Sequence, residues 1–102
     1  MLELRPHCER CNRDLAPNDP SARIGSYECT FCVMSVDEVF ANVCPNCGGG
    51  FVPRPIRPAT ASRNGVSLAH QPAGSRRYAM TRSIETAAAL TAALRDMPPA
   101  QR

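Results

Sequence analysis

Six cysteines, all between positions 8 and 47, are the residues here that could do chemistry together. They form three Cys-x-x-Cys pairs, Cys8/Cys11, Cys29/Cys32 and Cys44/Cys47, with 17 residues between the first two pairs and 11 between the last two. Two cysteines three apart grip one metal ion when the chain turns tightly between them. The last pair has the residues for that turn. Pro45 fixes one backbone angle, and Gly48 accepts the left-handed conformation that a side chain resists. Amides in such a turn can point at sulfur and stabilise thiolate. This is the grammar of a zinc knuckle or zinc ribbon, and zinc is the expected cofactor, held by Cys8, Cys11, Cys29, Cys32, Cys44 and Cys47.

Structural zinc takes four ligands in a tetrahedron, and six cysteines do not divide into fours. Either one site is complete and one pair is spare, or two sites each lack a thiolate. His7, Asp37, Ser35 or water then supplies the remaining ligand. His7 reads as a solvated residue or a support to a ligand sooner than a ligand itself. A disulfide framework is set aside, because Met1 to Pro6 has no apolar run and no export grammar, so the cysteines are read as cytoplasmic and reduced. Two catalytic readings are also set aside. His7-Cys8-Glu9 fits the His-x-Glu string of zinc deaminases, but Cys8 falls between ligand and acid, and Val43 stands where that motif has Pro. A thioredoxin-like redox role needs a strand–helix setting around the pair that the sequence does not offer. The chain is read as no enzyme.

The elements that must position these cysteines are short. Residues 1–7 read as extended, with Leu2 and Leu4 alternating against Glu3 and Arg5. Pro17 to Pro20 is a turn cluster. Ala22 to Glu28 reads as a short strand with Ile24 and Tyr27 facing inward, and Cys29 to Cys32 as another turn. Val33 to Asn42 reads as about two helical turns, with Val36, Val39, Phe40 and Val43 on one face and Ser35 as cap. Phe51 to Pro58 is extended, because proline at alternate positions excludes helix and interior strand. Arg54 and Arg57 in that segment read as solvated. Residues 59–80 are polar and aperiodic and read as a flexible linker. Over residues 81–97, Ile84, Ala87, Leu90, Leu94 and Met97 recur at helical spacing, and Pro98-Pro99 ends the pattern.

Composition agrees with a small, metal-dependent core. The chain has 102 residues, three Phe, two Tyr and no Trp, too few large side chains for much burial without a metal. Net charge is +3, and the surplus lies beyond residue 58. All 12 basic residues are arginine. No stretch is long and apolar enough to span a membrane.

The first half of the chain also resembles a known family. Met1-Leu-Glu-Leu-Arg-Pro6, Cys8-x-x-Cys11, Glu28-Cys-Thr-Phe-Cys32 and the run from Cys44-Pro-Asn-Cys47 through Gly50 to Phe51-Val-Pro-Arg-Pro55 resemble the bacterial family of short uncharacterised proteins with domain of unknown function 1272. The resemblance covers residues 1–58 and implies eight cysteines, two of them at positions held here by Gly25 and Ser35. With those slots restored, the four pairs look like a cross-brace of RING type. One site would join Cys8, Cys11, Cys32 and the Ser35 slot, and the other Cys29, Cys44, Cys47 and the Gly25 slot. The single-site pairings, Cys29/Cys32 or Cys8/Cys11 with Cys44/Cys47, remain open at this point.

The expected architecture is a small α+β zinc-stabilised module of treble-clef or RING-like type over 1–58, then the linker and a C-terminal helix. The expected function is a non-enzymatic interaction module with structural zinc and a protein partner. A second reading is a nucleic-acid-binding zinc protein using tail arginines Arg76, Arg77 and Arg82. A third, ubiquitin-ligase-type activity, rests on fold analogy alone.

Overall fold

A computed structural model describes all 102 residues. Three short strands, β1 (Ala22–Gly25), β2 (Thr30–Cys32) and β3 (Phe51–Pro53), form one antiparallel sheet in the order β2-β1-β3. β1 is central, with Ile24 opposite Thr30 on one side and Val52 on the other. β3 is an edge strand, where Pro53 can be accommodated without leaving a ladder partner unsatisfied.

Between β2 and β3 the chain makes one π-helical turn, Ser35–Val39, closed by the Phe40 amide on the Ser35 carbonyl at 3.0 Å. Val33 and Met34 ahead of it are α-helical, so the helical stretch runs over residues 33–39, close to the two turns expected but wider in its second half. The wider turn brings Val36 and Phe40 onto the core and carries Val39 out to 40% exposure. Ser35 does not cap it: the turn has no side-chain cap. Tyr27 also departs from expectation. It lies past the end of β1, in the tight connection to β2, and points to solvent at 74% exposure while Ile24 is buried.

The core is built on Phe31, whose ring meets Phe40 and Phe51 edge-on at 5.0 and 5.5 Å. Such edge-to-face contacts add to area burial. Cys8, Cys29, Cys32 and Cys44 pack in the same cluster with Leu15, Ala22, Val36 and Ala87. Arg54 and Arg57 are not solvated as expected. Arg54 is buried, donating to the carbonyls of Arg5 at 2.8 Å and Ala16 at 2.9 Å, and Arg57 donates to the carbonyls of Leu2 and Gln71. Carbonyls of non-repetitive chain need donors, and a planar guanidinium serves several at once.

Residues 59–80 contain no helix or strand. They are tied to the first half through Gly74 N to Leu4 O, Met80 N to Glu9 O, and the Tyr78 hydroxyl to Glu3. Helix α1 (Ile84–Leu94) follows, with Ser83 as N-cap accepting from the Thr86 amide. Its inward residues are Ala87, Leu90, Thr91 and Leu94, while Ile84 stays 60% exposed. Thr91 Oγ1 donates to the Phe40 carbonyl, and Arg102 donates to the carbonyls of Asn42 and Gly48. No helix is long and apolar enough to cross a membrane.

Candidate metal centre

The strand β2 decides how the cysteines are shared. Cys29-Thr-Phe-Cys32 was expected to turn like the other pairs, but Thr30–Cys32 is extended. In extended chain, residues three apart point to opposite faces. One pair is thereby divided between two clusters.

Cys32 joins the first knuckle. There Asn12 takes a positive φ of 62°, the Asn12 amide donates to the Cys8 carbonyl and the Cys8 amide to the Arg13 carbonyl, both at 2.9 Å. The Glu9 amide donates to the Thr30 carbonyl at 3.0 Å and fastens this knuckle to β2. The sulfurs of Cys8, Cys11 and Cys32 all lie within 4.8 Å of one another, with Cys11 and Cys32 at 3.8 Å. Ser35 Oγ completes the group, 3.2 Å from Cys32 Sγ and 3.5 Å from Cys8 Sγ. A tetrahedral zinc with Zn–S of about 2.3 Å has sulfur–sulfur edges of about 3.8 Å, which the Cys11–Cys32 separation matches, and the three sulfurs could hold a metal ion. Burial raises the Cys8 thiol, but the amides of Cys11, Cys32 and Arg10 and the Ser35 hydroxyl outweigh it and bring Cys8 down to about 7. Cys11 moves the other way, raised by burial and by its sulfur neighbours Cys8 and Cys32.

Cys29 turns toward the last knuckle. There Gly48 adopts a φ of 79°, as its position after the pair requires, with Gly48 N on Cys44 O and Cys44 N on Gly49 O, both at 2.8 Å. The Cys44 thiol and the Asn46 amide, 3.2 Å from Cys29 Sγ, hold Cys29 down at about 6 against the opposing effect of burial. Cys44, donating to Cys29 and buried, is pushed up. Cys47 is exposed, its sulfur 3.4 Å from the Gly49 amide. Gly25 faces this cluster. A Cβ there would lie 3.9 Å from Cys29 Cβ and 3.5 Å from the Phe51 ring, in ordinary contact, and Gly25 is not among the positive-φ residues. Cys29, Cys44 and Cys47 do not close to the mutual spacing of the first group.

The other residues singled out from sequence are not members of the first sulfur group. His7 is buried with Nδ1 2.9 Å from Asp14 Oδ1, close enough for an ion pair but not aligned as a hydrogen bond. Asp37 is exposed. The Glu9 carboxylate is taken by the Thr30 amide and by Arg5. Of the tail arginines, Arg76 stacks on Tyr78 and Arg77 donates to Asn12 at 2.7 Å. Two contributors escaped sequence reading, Arg10, whose Nε donates to Ser35 Oγ at 2.8 Å, and Asn46. Both occupy x positions of their Cys-x-x-Cys pairs, where the motif prescribes no residue type.

The family model for proteins of unknown function DUF1272 matches residues 1–57. The chain belongs to that family. A relative from Rhizobium meliloti (strain 1021), described as an uncharacterized protein, is 52% identical over 60 residues, covering 59% of this chain and 71% of the relative. No solved structure matches. This DUF1272 protein is therefore a small α+β protein with a three-stranded sheet and a cysteine group placed to hold a metal ion.

Proposed function

We propose that residues 1–58 are a cytoplasmic zinc module of treble-clef or RING-like type, in which zinc is structural and the module serves as a non-enzymatic platform for another protein. The observation that carries the reading is the grouping of Cys8, Cys11 and Cys32 within 4.8 Å of one another, with Ser35 Oγ 3.2 and 3.5 Å from two of the sulfurs. It unites the first pair with one cysteine of the second, the cross-braced pairing, and leaves Cys29 to Cys44 and Cys47. Of the single-site pairings, Cys29/Cys32 with Cys44/Cys47 would hold Cys29 and Cys32 on one ion, which the extended β2 opposes, and Cys8/Cys11 with Cys44/Cys47 would leave out Cys32, whose sulfur groups with Cys8 and Cys11. A structural role is supported by burial, since Cys8, Cys32 and Cys44 are each at most 2% exposed, and by the engagement of Glu9, which leaves no free acid beside the first cluster. Catalytic zinc keeps an open position for water or substrate.

Native mass spectrometry of the reduced full chain tests this, with Cys32→Ala and Cys29→Ala alongside. Two zinc ions are expected in the parent, with each variant weakening a different one. A parent that takes up no zinc overturns the proposal, and a single zinc lost equally in both variants returns the pairing to one local site.

A further inference from the structure

The Ser35 hydroxyl has an unusual set of neighbours. It begins the π-helical turn but does not cap it, so it owes nothing to local backbone. It is fully buried. Its oxygen lies 3.2 Å from Cys32 Sγ, 3.5 Å from Cys8 Sγ and 2.8 Å from Arg10 Nε. We propose that Ser35 Oγ is the fourth ligand at the first cluster, which makes it a site of three thiolates and one oxygen, and that Arg10 is the positioning residue for that oxygen. The inference rests on the reading that this cluster binds zinc.

Distance supports it first. With Zn–S of about 2.3 Å and Zn–O of about 2.0–2.2 Å, a tetrahedral sulfur–oxygen edge is about 3.5 Å, close to both Ser35 separations. Lone-pair counting supports it next. A hydroxyl oxygen has two acceptor positions. Arg10 Nε–H occupies one, and the other is left for an ion among the sulfurs. Charge is the third support. Zinc with three thiolates carries a net negative charge, and a guanidinium bonded to the oxygen ligand offsets it close by, as groups behind metal ligands commonly do. The competing fourth ligands fare worse. His7 is not within the 4.8 Å group of the three sulfurs, Asp37 is exposed, and water would have to displace a buried hydroxyl that lies 3.2 and 3.5 Å from two of the sulfurs. The open side of the cluster is at Cys11, the exposed member of the three.

An oxygen in place of a fourth thiolate makes the site less selective for soft metals and quicker to release zinc. The test uses the full chain loaded with zinc or cobalt(II), in parent, Ser35→Ala, Ser35→Cys and Arg10→Gln forms. Two readouts are taken, zinc loss to a competing chelator and the thiolate-to-cobalt absorption band. Ser35→Ala should release zinc from the first cluster about tenfold faster, and Arg10→Gln should do the same through the weakened oxygen, in the range of about 10–100-fold seen when a ligand's supporting partner is removed. Ser35→Cys should release it more slowly and strengthen the cobalt band, because a fourth sulfur joins. Unchanged release and spectrum in Ser35→Ala would remove Ser35 from the ligand set, and so would a Ser35→Cys protein whose cobalt band does not grow, which keeps the test decisive should Ser35→Ala fold poorly. A parent in which Cys32→Ala changes no metal content refutes the zinc reading itself, a result separate from both.

Discussion

In the first cluster three sulfurs lie within 4.8 Å of one another with a serine oxygen 3.2 and 3.5 Å from two of them, and in the second only Cys29 and Cys44 are in direct partnership while Cys47 faces solvent. Both clusters draw one cysteine from Cys29-Thr-Phe-Cys32, so the difference lies in what surrounds them. The first knuckle is fastened to β2 by the Glu9 amide on the Thr30 carbonyl and by the Glu9 carboxylate on the Thr30 amide. Beside its sulfurs stands Ser35, a side chain with a donor atom. Beside Cys29 of the second cluster stands Gly25, which has no side chain at all, and the Asn46 amide donates to Cys29. Under the proposed cross-brace, serine in a cysteine slot exchanges one ligand atom for another. Glycine there removes the ligand together with the carbon that would fix its direction.

The largest effect that would break this comparison is loss of metal altogether. Removing zinc with a strong chelator should unfold residues 1–58, because structural zinc contributes on the order of 10 kcal/mol, comparable with the whole stability of a small domain. Far-ultraviolet circular dichroism and amide exchange read the outcome. Protection of β1 and β2 that survives full metal removal would show that the phenylalanine core suffices without the ion.

The next sharpens the contrast at Gly25. Gly25→Cys should slow zinc loss from the second cluster tenfold or more, by about 1.4 kcal/mol per decade, and leave the first cluster's release unaltered. The backbone there is not left-handed, and the new Cβ meets only ordinary contacts, so strain should not mask the gain. The same 3.9 Å to Cys29 Cβ lies in the range for a disulfide, and the measurement is therefore made under reducing conditions. Equal release before and after substitution would separate Gly25 from the second site.

Removal of the tail after Pro58 follows in size. The sequence pattern marks 59–80 as a linker that could be cut without loss, whereas Ala87 enters the core and Thr91 and Arg102 reach carbonyls at Phe40, Asn42 and Gly48. Those contacts predict a loss of about 2 kcal/mol, expressed as a lower thermal midpoint and faster zinc release from the second cluster, whose knuckle α1 abuts. An unchanged midpoint would restore the separable tail.

Acidification gives the smallest effect. Cys8 and Cys29 have folded pKa values near 7 and 6, below the ordinary 9.0. A depressed pKa contributes stability that is present above the unfolded value and lost as pH falls through the folded one. Zinc retention should therefore weaken as pH drops through about 7 at the first cluster and through about 6 at the second, as protons compete for these sulfurs. Zinc retained against chelator between pH 8 and 5 reads this, and loss in the opposite order would mean that metal affinity, not thiol acidity, ranks the two clusters.

The cysteine pairs and two of the three turns were legible in the sequence because they are local. A Cys-x-x-Cys pair with Pro45 inside and Gly48 after it encodes its own turn within a few residues, and the φ of 79° at Gly48 follows from that. The 3.6-residue recurrence over 81–97 likewise announces a helix, found at Ile84–Leu94. What tertiary structure alone decided is which cysteines meet. Whether Cys29 and Cys32 share a metal depends on whether the chain between them turns or extends, and that was settled by pairing with β1 and by Phe31 entering the core, neither of which lies within the motif. The wider π-helical turn that buries Ser35 and exposes Val39, the burial of Arg54, and the inward side of α1 have the same origin. Each depends on partners 20 or more residues away, and local periodicity carries no information about them.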